Sequence, residues 1–229
     1  MLLLQFSTSH YCRKARLALG YKQIFYQVEN LTPSLHIFRV KPLSGSTTVP
    51  VLLPQQKNCP AVVSESNEII RFLEIYQPNP PLYFEDSAYQ QEALRLEAYF
   101  GESIGKESRV VYCQFRSTDA GKQIDPSWIS LLTIQIIRLR YGINAKSAEK
   151  AAQKVADAIA ILSEFWQDGY LIGDRFSVAD LTAAALLTPL GLIPDYRRDY
   201  PWLFERITAI HQLCNEPLPK NWQAGLGIT

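Results

Sequence analysis

At 229 residues and 47% apolar side chains, the chain can build one large domain or two small ones, each with its own core. Its 23 Lys and Arg nearly cancel its 22 Asp and Glu, leaving a formal net charge of +1, which excludes a polycationic binder of nucleic acid or of anionic membrane surfaces. Four dispersed cysteines (Cys12, Cys59, Cys113, Cys214) have no C-x-x-C pair and no metal-ligand spacing, and fit reduced thiols in the cytoplasm better than a disulfide framework.

The opening "MLLLQF" is too short for the apolar core of a signal peptide. The longest apolar run, "LTAAALLTPLGLI", carries Pro189 and falls short of the ~20 residues a spanning helix needs. The expectation is a soluble, cytoplasmic protein.

In chain order, residues 2–6 read as a buried strand. A helix follows over 12–19, with Gly20 where a helix C-terminal glycine belongs. Ile24, Tyr26 and Val28 alternate as in a strand. A polar stretch rich in Pro, Ser and Gly reads as a long loop before "VPVLL" and "AVVS", two strands of a hairpin separated by "PQQKNC". Ile69, Phe72, Leu73 and Tyr76 then recur at helical spacing until "QPNPP" stops the helix. The result is a β-α-β unit joined to a β-β-α unit, an α/β domain over residues 1–78. Residues 79–87 form a linker, and 88–229 form an all-helical domain. Its helices are expected near 88–116, 127–141, 147–168, 177–188 and 201–213, the third carrying a Val155, Ile159, Leu162, Trp166 stripe. "GLGIT" closes the chain as a loose tail.

Four short motifs carry chemical information. In "FSTSHYCRKARLAL" a strand runs into a basic helix, with Ser9 at its mouth and Cys12 one turn in. The unpaired N–H groups and dipole of a helix start favour an anion, and Arg13, Lys14 and Arg16 add positive charge, so a bound thiol could be held as thiolate; Ser9 is equally a plain N-cap. In "TTVPVLL" a proline enters a strand, which suits an edge or a special backbone, although X-Pro bonds are mostly trans. In "VVSESNEII" Glu65 and Ser66 stand at a strand–helix junction. A carboxylate, a hydroxyl and open N–H groups there suit an α-amino acid head, and capping by Ser64 or Ser66 is the simpler alternative. In "DRFSVADLTAAALL" Ser177 and Asp180 are spaced as a capping box, with Phe176 and Leu181 placed as a hydrophobic staple.

These motifs, in this order and across essentially the whole chain, resemble the glutathione transferase superfamily: S-x-Y-C-R-K after the first strand, V-P-V-L at the third, E-S at the last strand–helix junction, then F-S-V-A-D-L. The resemblance implies a thioredoxin-like N-terminal domain and an all-α C-terminal domain. "SHYCRKARLALGYK" is similar to the cyanobacterial chi class. It implies that Ser9 hydrogen-bonds the glutathione sulfur as in serine-type classes, with Cys12 buried and inert. Tyr11 would join the glutathione site, Val49 would bond the cysteinyl unit through its backbone beside a cis Pro50, and Glu65 and Ser66 would grip the γ-glutamyl end. This chain has His10 where proline is common and a long "KPLSGSTT" before Val49. Ser7 and Thr8 therefore stay alternatives to Ser9, and His36, Arg39 and Lys41 are candidates for the glycyl carboxylate.

The implied activity is conjugation of the glutathione thiolate to small hydrophobic electrophiles, a detoxification reaction. Tyr99, Ser103, Arg109 and Tyr112 are possible liners of the electrophile site. Glutathione is the cosubstrate, no metal or other cofactor is implied, and a homodimer is expected. The alternatives are a non-catalytic binder of glutathione or hydrophobic ligands on the same fold, and thiol–disulfide exchange, which Ser9 in place of cysteine argues against and for which Cys12 or Cys59 would support only a weak activity.

Overall fold

A computed structural model describes residues 1–222; the "GLGIT" tail lies outside them. The first half forms β1 (Leu2–Gln5), α1 (His10–Tyr21), β2 (Gln27–Asn30), α2 (His36–Ser44), β3 (Val51–Leu53), β4 (Val63–Ser64) and α3 (Ser66–Tyr76). The four strands lie in the order β2-β1-β3-β4. β1 is parallel to β2 and antiparallel to β3, which is antiparallel to β4. The second half is helical: α4 (Ser87–Ala98), α5 (Gly105–Phe115), α6 (Asp119–Lys122), α7 (Trp128–Tyr141), α8 (Ala145–Phe165), α9 (Val178–Leu187), α10 (Pro194–Asp199) and α11 (Pro201–Leu213).

Three local expectations are corrected. The stretch read as a long loop contains α2, a helix that buries only His36 and Val40 and carries Pro42, so its periodic signal is weak. Gly20 is not a helix stop: α1 continues to Tyr21, and a Cβ at position 20 would come within 1.8 Å of the Cys214 carbonyl oxygen. The helix expected over 88–116 is α4 and α5 joined by a π-helical turn, Tyr99–Ile104. Such a turn widens the helix by one residue without interrupting its apolar face, so periodicity does not reveal it.

Every residue of α9 is buried, which explains its lack of a polar face. The Ser177–Asp180 capping box forms, and Asp180 also accepts from Trp166 Nε1 at 2.8 Å and the Leu171 amide at 2.9 Å. The helix α1 packs on α9 on one side and α3 on the other, and this burial traps its basic residues. Lys14 donates to Glu97 of α4 at 2.7 Å and to Asn67 of α3 at 2.6 Å. Arg16 meets Glu216 at 2.7 Å, and Lys22 meets Glu74 of α3 at 2.5 Å. Each pair clamps α1 to a different segment. The linker is fixed too: Val178 N–H bonds the Leu82 carbonyl at 2.9 Å, and Arg175 bonds that of Pro81 at 2.9 Å.

Lys14 is fully buried and Glu97 is 2% exposed, so removing one partner strands the other's charge. Glu97→Gln is expected to cost ~3–5 kcal/mol in urea unfolding, and the double variant Lys14→Met, Glu97→Leu to recover most of that loss. Equal midpoints for wild type and Glu97→Gln would refute the clamp.

Candidate functional site

The strand register gathers three of the sequence motifs at one edge of the sheet. Leu4 pairs with Val51, and Val51 with Ser64. β1 and β4 leave the sheet at this edge and β3 enters it. Residues 6–9, 48–50 and 65–66 therefore stand side by side across two strand spacings, about 10 Å. An extended tripeptide spans roughly the same length. Both α1 and α3 begin here, so two positive helix ends lie at one edge of the sheet.

Ser9 is the N-cap of α1, and its Oγ accepts from the Cys12 amide at 3.3 Å. The half-buried hydroxyl thus caps the helix and keeps its own proton for a second partner. Ser7 and Thr8 are exposed. Cys12 is fully buried, and burial pushes its thiol up, away from thiolate formation. Of the basic residues read as charging this helix mouth, Lys14 and Arg16 are instead neutralised within the fold, by Glu97 and Glu216.

The Val49–Pro50 bond is cis, as the family pattern implies and against the usual trans preference. The Pro50 carbonyl accepts the Glu65 amide at 3.3 Å, and Thr48 Oγ1 donates to Glu65 Oε1 at 2.6 Å. These contacts hold Glu65 at φ +69 and ψ 139, a conformation rarely adopted with a side chain and worth ~1–3 kcal/mol of strain. No side chain caps α3, so neither Ser64 nor Ser66 acts as its N-cap. Ser66 is instead its buried first residue, and the α3 amides beside the Glu65 carboxylate stay open. Thr48 is the residue that motif reading missed; its place just before the V-P pair was the available signal.

His36 Nε2 bonds the Thr47 carbonyl at 3.0 Å, and its ring stands edge-on to Phe6 at 4.8 Å, so it braces the loop before Val49. Arg39 is engaged bidentately by Glu29, both contacts at 3.1 Å, while Lys41 is exposed in the last turn of α2.

The other wall of the groove comes from the helical half. The Tyr11 hydroxyl donates to the Gly101 carbonyl at 2.8 Å and closes on Gly105, where a Cβ would come within 2.9 Å of it. Its polar end therefore serves the junction of the two halves. Arg109 lies one turn beyond Gly105 on α5, with its guanidinium 4.3 Å over the Tyr141 ring. Its charge bears on both His10 and Tyr11, and Tyr112 and Arg13 likewise feel each other. Burial first, then Arg109 and Arg13, lower the His10 pKa to about 3, so its imidazole is neutral near pH 7. Tyr99 packs against Phe100 and its charge environment is that of Asp157 on α8, while Ser103 lies in the π-helical turn.

The family model for the glutathione S-transferase N-terminal domain matches residues 3–81, and that for the glutathione S-transferase C-terminal domain matches residues 129–206. No curated protein matches the chain. Among solved structures, FzlA from C. crescentus is 21% identical with a TM-score of 0.72, covering 100% of this chain and 92% of its own. A glutathione S-transferase from Methylobacterium radiotolerans, in complex with glutathione sulfonate, is 24% identical with a TM-score of 0.67 over 95% of this chain and 94% of its own. The β-etherase LigF from Sphingobium is 20% identical with a TM-score of 0.70, covering 98% of each chain. These likenesses describe the fold.

Glu65→Gly and Glu65→Ala both delete the carboxylate but differ in the Cβ that makes this backbone costly. The glycine variant is expected to be ~1 kcal/mol the more stable in urea. A glycine variant less stable than the alanine one would show that position 65 is unstrained.

Proposed function

The chain belongs to the glutathione S-transferase superfamily, and on that premise we propose that it binds glutathione along the sheet edge and transfers its thiolate to small hydrophobic electrophiles. One observation carries this reading: Glu65 is held in a strained conformation by Thr48 and Pro50, at a helix start that no side chain caps. A fold that needed only to terminate β4 and begin α3 would relax that residue and cap the helix. The γ-glutamyl head supplies what is missing, an ammonium for the Glu65 carboxylate and a carboxylate for Ser66 and the α3 amides. The cysteinyl unit then lies against Val49 and Pro50, and its sulfur falls toward the mouth of α1.

There the Ser9 hydroxyl donates to the sulfur. A thiol of ordinary pKa, about 8.5, is mostly protonated at neutral pH, and one charge-assisted hydrogen bond plus a helix dipole lowers it by about one to two pH units. The thiolate attacks an electrophile seated against α5, a C–S bond forms, and the displaced group leaves with its bonding pair. Thiol–disulfide exchange is disfavoured because Cys12, the cysteine nearest this mouth in sequence, is fully buried with its thiol pushed up. We take the working form to be a cytoplasmic homodimer that detoxifies electrophiles.

Ser9→Ala is expected to lower kcat/KM for a general electrophile ~10–100-fold and to move the thiolate absorbance of bound glutathione to higher pH. An unchanged profile would transfer the role to Ser7, Thr8 or a backbone amide. Titration calorimetry of wild type with glutathione separates this reading from a carrier of hydrophobic ligands. Heat that is lost in Ser66→Ala supports it, and no heat at millimolar glutathione leaves the carrier.

A further inference from the structure

The two ends of the groove along the sheet edge are built to different standards. At the Glu65 end the parts are fixed to one another. Thr48 Oγ1 donates to Glu65 Oε1 at 2.6 Å, and Ser46 Oγ lies 2.8 Å from Thr48 Oγ1 and accepts the Thr48 amide at 3.1 Å. Ser44 Oγ accepts the Ser46 amide in turn, at 3.2 Å. A chain of hydroxyls from the end of α2 therefore holds one carboxylate oxygen of Glu65, and among the described residues the other oxygen has no partner. That free oxygen suits an ammonium group.

The opposite end lies beside α2. Val40 packs with Leu4 and Val51, while His36 meets Phe6 and the Thr47 carbonyl, so α2 flanks the exit of β1 and the entry of β3. A residue following the cysteinyl unit runs toward this helix, and its carboxylate finds the local groups already engaged. His36 Nε2 bonds Thr47, and Nδ1 is buried out of a ligand's reach. Arg39 is held bidentately by Glu29 of β2. The first amides of α2 turn inward, that of His36 onto the Thr32 carbonyl at 2.9 Å and that of Phe38 onto Leu35 at 3.1 Å.

The other basic groups of this half stand elsewhere. Lys14, Arg16 and Lys22 are in ion pairs within the fold, and Arg71 pairs with Glu68 on α3. Arg13 is buried near Tyr112 and Glu216, toward the helical half. Lys57 lies in the loop between β3 and β4, at the far end of those strands. The "QAGLGIT" that follows Trp222 holds no Lys, Arg or His. Among the described residues of this half, the exposed Lys41 is left to meet a carboxylate there. A lone exposed lysine contributes no more than about fivefold in affinity.

We propose that the groove recognises the γ-glutamylcysteinyl part of its thiol and leaves the third residue unread. The substrate class is then γ-glutamylcysteinyl thiols of any small third residue, glutathione among them, with Glu65 and its positioning residue Thr48 setting the specificity. This inference rests on the reading of the groove as a glutathione site. The third residue takes no part in forming the C–S bond, so the chemistry is common to the whole class.

The test is titration calorimetry with four S-methyl thioethers, which separate recognition from thiol chemistry. They are S-methylglutathione, its C-terminal amide, its homologue with β-alanine in place of glycine, and its N-acetyl derivative. Wild type is expected to bind the first three within about fivefold and the N-acetyl form at least tenfold more weakly. Lys41→Gln is expected to erase the small difference between the acid and its amide. Thr48→Val is expected to shrink the penalty for N-acetylation, and Thr48→Ser, which keeps the hydroxyl, to restore it. A merely structural threonine would weaken all four ligands alike.

The proposal is overturned if S-methylglutathione binds more than about fivefold tighter than its amide or its β-alanine homologue, a result that leaves the glutathione reading standing. It is overturned equally if the N-acetyl form binds as well as the free amine. No heat from any of the four at millimolar concentration ends both readings. The expected pattern with no turnover of a general electrophile keeps this specificity and ends the transferase reading alone.

Discussion

A basic helix buried between two domains sets the terms for the rest of the molecule. Charge in a dry interior must be matched where it stands, and α1 with its C-cap carries Lys14, Arg16 and Lys22 into such an interior. The carboxylates that answer them come from α4, from the segment after α11 and from α3. Each ion pair fixes the rotation and depth of α1 from a different direction. What is thereby positioned is the helix mouth, where Ser9 keeps a proton to donate while capping the backbone. Packing energy, electrostatics and site geometry meet in that one element.

The sheet supplies a complementary kind of order. Its register brings a β1 exit, a β3 entry and a β4 exit to one edge, and the groove along that edge has the length of a tripeptide. At its far end the fold departs from local preference: Glu65 sits at positive φ and α3 begins without a side-chain cap. A protein tends to violate its local rules where it binds something, because the ligand completes what the chain leaves open.

Much of this architecture was legible in the residues themselves. The Ser177–Asp180 box and the apolar run of α9 after it are local patterns, and local patterns survive the passage from sequence to structure. So did the strand-into-helix junction at Ser9, because capping acts within a few residues, whereas the junction at Glu65–Ser66 forms without the cap its sequence offered. α2 did not, because a helix that buries two residues and contains Pro42 leaves hardly any periodic trace. Gly20 misled for a related reason. A glycine near a helix end normally signals its stop, whereas here it admits the Cys214 carbonyl from the other end of the chain.

By its sequence alone the chain determined its class, a small α/β half followed by a helical half, and the cap that starts α1 at Ser9. Those depend on period, capping and turn chemistry between near neighbours. Only the tertiary structure decided which charges meet. Lys14 finds Glu97 across 83 residues of chain and Arg16 finds Glu216 across 200, and no local pattern links such partners. For the same reason it alone decided that the Tyr11 hydroxyl serves the domain junction: a buried polar group is matched by whatever the fold brings within a few ångströms, however far apart in sequence the two residues lie.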